Sequence, residues 1–318
     1  MSFKAKHSSP VKVKGDVFSI NSSNYLITAN LVVVREIPKS FDGGLTTQMI
    51  GKPDYQKIRE QHEEFVNVMR RLGLKVIRLP AYEEHPDIHF PRDTIASYKG
   101  ALMSLNPGAA SRKAEVERNI SDLEKVGIHV KRIEYPEGAF IEGGDVLSFD
   151  GEGLVVIGIS GNSNDIRTNE AGAKAFAEAL KTIDHDVTIV AVRHTGVLHL
   201  ETGFTRLTKD LALKDPKCSI DWKNPYYPLG DGKRVKLPPW QIIELPEAEG
   251  YGAHVLPING AVIIAKGYPT VKGLAEKYYN LVIEVDMSES HKMDGSLRCW
   301  TILHNENTET HRSEAKPL

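Results

Sequence analysis

An α/β fold, with helices alternating with short strands, is predicted by two features of this 318-residue chain. Amphipathic segments at helical spacing recur along it, and each regular one runs into a β-rich stretch of strand length. The loops after four of those strands each carry a residue capable of chemistry. Repeated units pack with like ends together, so an active site is expected at one end of the strands.

The elements follow in order. Leu26 to Val34 reads as a strand supplied by the N-terminus. Residues 53–73 read as a helix, with Pro53 in its first turn, where a missing N–H costs nothing, and Tyr55, Ile58, Phe65, Met69 and Leu72 along one side. Gly73 closes it, and Leu74 to Leu79 reads as a strand. The pattern returns at 112–126 before the strand Ile128 to Ile133, and at 169–183 before Val187 to Val192. Residues 270–279 lead into Leu281 to Val285, and Leu154 to Ile159 is a further strand. A less regular copy of the helical segment is read at Pro238 to Leu245, ahead of Val255–Leu256 and Ala261–Ala265. With that copy, five units could close into a ring.

Composition narrows the function. Hydrophobic residues make up 41% and charged residues 26%, as in ordinary globular proteins. Forty Lys and Arg stand against 42 acids without long blocks of one sign, which argues against nucleic acid as a partner. No apolar run approaches the ~20 residues that span a bilayer, and the first residues lack a secretory core. Two cysteines cannot build a disulfide framework, so a reducing, cytoplasmic setting is expected. His85 and His89 lack a third ligand at suitable spacing, so no metal is expected. No phosphate-cradling glycine motif appears, so no nucleotide cofactor is expected either.

Four loops carry the candidates: Phe90-Pro91-Arg92-Asp93, Glu142-Gly143-Gly144-Asp145, Leu198-His199-Leu200-Glu201, and Asp294 to Trp300 with Cys299. Taken singly, a packed histidine, a small buried cysteine and a loop carboxylate are the commoner readings of His199, Cys299 and Asp93. Gly143 and Gly144 permit a turn that brings the Glu142 carboxylate close to a small ligand. Strand-like alternation would point His199 and Glu201 the same way. Together, a thiol, an imidazole and an orienting acid can form a nucleophile with its proton shuttle. Asp93, Glu142 and Glu201 beside one thiol would make an acidic pocket suited to a planar cation with several N–H donors. Guanidinium fits, and its charge would favour the thiolate. Cys218 lacks any comparable setting.

From about residue 27 to 304 the chain resembles the guanidino-group modifying enzymes, and most nearly the dimethylarginine dimethylaminohydrolases. The resemblance rests on Val33 to Pro38, Gly44 to Thr47 with Gly51 to Tyr55, Pro86 to Asp93, Asn106 to Arg112, Glu142 to Leu147, Arg167 to Asn169, Leu198 to Leu200 and Val285 to Cys299. It implies a five-fold pseudosymmetric α/β propeller (pentein) with a central pocket. It also implies one catalytic domain over 15–304, with 1–14 and 305–318 as flexible termini. By that similarity Cys299 attacks the guanidinium carbon, His199 moves protons and Glu142 orients imidazole and substrate. Asp93 and Asp87 bind guanidinium nitrogens, Arg167 holds the substrate carboxylate, and Gly43-Gly44-Leu45 forms a lid, with Leu45 against the substrate.

Three positions depart from the dimethylarginine pattern. Arg92 stands where an acid is usual, and Glu201 where a lysine is, both as in arginine deiminases; Asn106 replaces an arginine before Pro107. Each is expected at the substrate. Stretches at 161–165 and 217–237 are expected to reshape the entrance. The expected activity is metal-free, cofactor-free hydrolysis of an arginine-type substrate to citrulline and an amine or ammonia. The alternatives are deimination of free arginine, amidino transfer, and a non-catalytic arginine-binding protein. A homodimer is left open.

Overall fold

The computed structural model describes residues 26–160, 166–230 and 237–306. The expected flexible end 1–14, all but the first two residues of the expected flexible end 305–318, the stretch 161–165 and part of the 217–237 insertion therefore lie outside the described residues.

The helix Tyr55–Arg71 shows how the sequence builds one unit. It begins because the Asp54 side chain accepts the Lys57 N–H at 2.8 Å, leaving Pro53 outside the first turn in which it was expected. It ends where Gly73 takes φ +84°, a left-handed conformation favouring glycine. Its face of Ile58, Phe65, Val66 and Met69 buries against Val32, Val34 and Trp300. Each such side chain contributes roughly 1.5–3 kcal/mol.

Five sheets recur with one grammar among the described residues. In each, a central strand pairs antiparallel with one neighbour and parallel with the other. Leu31–Arg35 lies between Ile302–His304 and Lys75–Leu79, so the two ends of the described chain share a sheet. The others centre on Ala101–Ser104, Leu154–Ser160, Leu211–Lys214 and Ala261–Ala265. Helices Tyr55–Arg71, Lys113–Lys125, Glu170–Lys181 and Pro269–Tyr278 make the parallel crossovers in four of the five units. Parallel neighbours need such long connections.

The fourth unit differs from its reading in the sequence. Gln241–Glu244 is not helical but the outer parallel strand beside Leu211–Lys214. Pro238 and Pro239 lack the N–H groups a helix would use, and five residues remain before Leu245-Pro246. No described residue between 215 and 240 is helical, and Ser219–Ile220 pairs with the end of Thr188–Thr195 instead.

The same position recurs in every unit. The turns Pro91–Asp93, Gly143–Asp145, Leu200–Gly203 and Glu247–Ala253, and the segment around Cys299, each precede the antiparallel edge strand of a sheet. No helix among the described residues is long and apolar enough to cross a membrane.

Candidate active site

The turn Pro91–Asp93, His199 at the head of Leu200–Gly203 and the segment holding Cys299 converge on one cavity, whose lining includes Leu45, Asp87, Asp93, Arg112, Arg167, His199, Asp294 and Cys299. The described structure therefore brings together Cys299, His199, Asp93, Asp87, Arg167 and Leu45. Glu142 lies directly behind His199.

Glu142 is fully buried, and its Oε2 sits 2.7 Å from His199 Nε2. Its other oxygen accepts the Gly108 N–H at 3.2 Å, and Arg167 Nη1 approaches Oε2 at 3.6 Å. The two glycines that follow work by lacking a side chain. A Cβ on Gly143 would stand 1.8 Å from the Arg92 carbonyl oxygen, and one on Gly144 2.6 Å from the His199 ring. Close approach, not unusual backbone angles, is what the Gly-Gly pair provides.

His199 caps the short helix Leu200–Gly203, so the strand alternation expected there does not apply. Asp145 fixes that turn: its Oδ1 accepts the Leu200 N–H at 2.7 Å and lies 2.9 Å from His194 Nε2. Burial works against charge on His199. The Glu142 hydrogen bond and the negative fields of Asp93, Asp145 and Glu142 outweigh it and raise the imidazole to about 9. His199 is thus a proton donor at neutral pH.

Asp93 Oδ2 receives Arg112 Nη1 at 2.5 Å, while its Oδ1 is buried with no hydrogen-bond partner. Burial would raise this carboxyl, but Arg112, His199 and Arg167 hold it below the ordinary range. Arg112, given no role in the sequence reading, also clamps Glu115 and the carbonyls of Asp87 and Phe90. Asp87 also lines the cavity, and burial raises its carboxyl despite Arg112 nearby. Both Asp87 oxygens accept the Leu45 N–H at 3.1 Å. Thr47 and Gln48 bind Asp294 at 2.5 and 2.6 Å, so the segment after Gly44 is pinned on both sides of the opening.

Cys299 is 6% exposed, packed in one core cluster with Trp300, and lines the cavity. Burial, with Asp93 adding its charge, pushes the thiol up to about 12. Its Sγ lies 3.0 Å from Ser296 Oγ.

Three expected contacts are not made. Glu201 is held by Arg92 Nε at 2.7 Å and by Arg298 Nη1 at 2.5 Å, and neither Glu201 nor Arg92 lines the cavity. The two guanidinium groups overcome burial and keep Glu201 ionised below its usual range. A carboxylate gripped from both sides has no face left for substrate. Asn106 donates to the Ala139 carbonyl at 2.6 Å and bridges to Ile141, also away from the cavity. Sequence reading missed Arg112, Asp294, Ser296 and His254. Arg112, Asp294 and Ser296 sit inside quoted motifs, and His254 sits in the pre-strand position of the fifth unit, ahead of Leu256–Ile258.

Known proteins resemble this chain over most of its length. The family model described as N,N dimethylarginine dimethylhydrolase, eukaryotic, matches residues 48–216. An N(G),N(G)-dimethylarginine dimethylaminohydrolase of Pseudomonas aeruginosa is 31% identical over 275 residues, covering 85% of this chain and 98% of that one. A second from Streptomyces coelicolor is 25% identical, covering 85% and 95%. The solved Pseudomonas aeruginosa enzyme, a cysteine-to-serine variant complexed with citrulline, superposes at TM-score 0.72 with 30% identity over 87% of this chain and all of that one. The N-terminal domain of a cyanobacterial arginine dihydrolase shares the fold at TM-score 0.69, with 19% identity over 86% of this chain and 98% of that one. The chain belongs to the dimethylarginine dimethylaminohydrolase family.

Proposed function

We propose that this protein hydrolyses the guanidino C–N bond of an N-substituted arginine, giving citrulline and an alkylamine. The observation that carries this is that His199, backed by Glu142, lines the same cavity as Cys299 and Asp93, one of whose carboxylate oxygens has no hydrogen-bond partner. A substrate guanidinium donates to Asp93 Oδ1, with Asp87 beside it and Arg167 reaching the amino acid carboxylate. Its charge next to sulfur lowers the thiol and generates the attacking thiolate, the thiol proton passing to solvent because His199 is already protonated.

The Sγ electron pair forms a bond to the guanidinium carbon. The bond to the substituted nitrogen then breaks as imidazolium His199 gives that nitrogen its proton. A thiouronium remains on Cys299, and neutral His199 takes a proton from water as the water oxygen adds to the carbon. Cleavage of the C–S bond returns the thiol and releases citrulline. Substrate and one water become citrulline and one amine. A solved dimethylarginine dimethylaminohydrolase 31% identical to this chain, a histidine-to-glycine variant, holds an adduct with S-methyl-L-thiocitrulline, in keeping with attack at such a carbon.

The clamped Glu201 favours substituted over free arginine. A deiminase-like acid at that position would accept a second set of N–H bonds, but Arg92 and Arg298 already occupy it. A methylated nitrogen has fewer protons needing such an acceptor. The recurring sheet order supports closure into a pseudo-fivefold propeller with this cavity central, as one catalytic domain over 15–304. The test is citrulline and amine release across arginine and its mono- and dimethylated forms, with Cys299→Ala as control. Release from methylated arginine by wild type alone supports the reading. No release from any of them contradicts it.

A further inference from the structure

Ser296 Oγ stands between the Cys299 sulfur, at 3.0 Å, and His254 Nε2, at 3.4 Å, and all three side chains are buried. His254 ends the turn Glu247–Ala253, just before the edge strand Leu256–Ile258. It is therefore the fifth unit's counterpart of the residues that the other pre-strand turns deliver.

We propose that Ser296 is a further catalytic residue and His254 its positioning residue. His254 Nε2–H donates to Ser296 Oγ, and the Ser296 O–H then donates to Cys299 Sγ, stabilising the thiolate. The direction of this chain follows from the partners. His254 Nδ1 is buried with no hydrogen-bond partner, and a buried N–H without an acceptor is costly. Placing the ring proton on Nε2 avoids that cost and leaves the Ser296 proton facing sulfur.

The ring stays neutral. Burial depresses His254 to about 4, with Arg298, Arg92 and His199 assisting and Glu201 opposing. Charges around the sulfur need such a donor, because Asp93 and Glu201 both disfavour the thiolate while Ser296 favours it. Tyr251, Arg92 and Arg298 also lie within the sulfur's field. The role in turnover rests on Cys299 being the nucleophile, whereas the effect on the thiol does not.

The experiment is iodoacetamide alkylation of the full chain across alkaline pH, read by mass spectrometry on the Cys299 peptide so that Cys218 does not interfere. Losing one hydrogen bond to a charged sulfur should slow alkylation of Ser296→Ala by roughly threefold to tenfold and displace its pH profile upward. Ser296→Thr and His254→Gln retain donors and should stay within about twofold of wild type, while His254→Phe should slow. In turnover, Ser296→Ala should lower kcat and leave KM nearly unchanged. Alkylation of Ser296→Ala at the wild-type rate or faster, or of folded His254→Phe at the wild-type rate, would overturn the proposal. Wild type inactive on methylated arginines, with Ser296→Ala still slowed in alkylation, would count against the proposed function and leave the hydrogen-bond chain standing.

Discussion

Glu142 Oε2 lies 2.7 Å from His199 Nε2, and both side chains are buried. The bond gives the imidazole a fixed direction and, with the nearby carboxylates, a charge that persists to about pH 9.

Glu142→Gln removes the anion but keeps the shape. The His199 titration, followed by NMR, should fall well below 9, and kcat should drop by roughly two to four orders of magnitude. The stability sign is also set. A folded pKa raised from 6.5 stabilises fully below 6.5, and that stabilisation is lost as pH rises through about 9. Wild-type Tm should therefore decline more steeply over that window than the variant's.

Asp93→Asn should have opposite effects on two measurements. Removing a charge that disfavours the thiolate lowers the thiol from about 12 and speeds alkylation of Cys299. The same change weakens the grip on guanidinium, so kcat/KM for methylated arginine should fall. Parallel loss of both rates would show that the two groups are not electrostatically coupled.

Glu201→Gln leaves Arg92 and Arg298 buried with one charge fewer between them. Breaking a buried pair costs roughly 3–5 kcal/mol, so Tm should fall substantially. The ratio of kcat/KM for methylated over free arginine should hold. A changed ratio with an unchanged Tm would return Glu201 to the substrate.

Gly144→Ala pushes a methyl group to within 2.6 Å of the His199 ring. A displacement on the order of 1 Å at the proton shuttle costs about a hundredfold in kcat. Near-normal turnover would mean that the ring and the turn yield together.

The helices were legible because their apolar spacing is local: Tyr55–Arg71, Lys113–Lys125 and Glu170–Lys181 lie within a few residues of their expected bounds. Gln241–Glu244 was not, since the six residues between Pro239 and Pro246 are too few to carry a period. Cys299, His199 and Asp93 could be read from recurring loop positions, and the structure brings them to one cavity. Glu201 was misplaced because its partners, Arg92 and Arg298, arrive from distant turns that local alternation does not reveal. Ser296 and His254 escaped for the same reason, being 42 positions apart.

The account depends most on a covalent bond between Cys299 and the substrate carbon, and a stalled second step exposes it directly. His199→Gly incubated with S-methyl-L-thiocitrulline, then digested and analysed by mass spectrometry, should carry the amidino-ornithine mass on the peptide containing Cys299. An unmodified Cys299 peptide, alongside wild-type enzyme that releases citrulline from methylarginine, would contradict it.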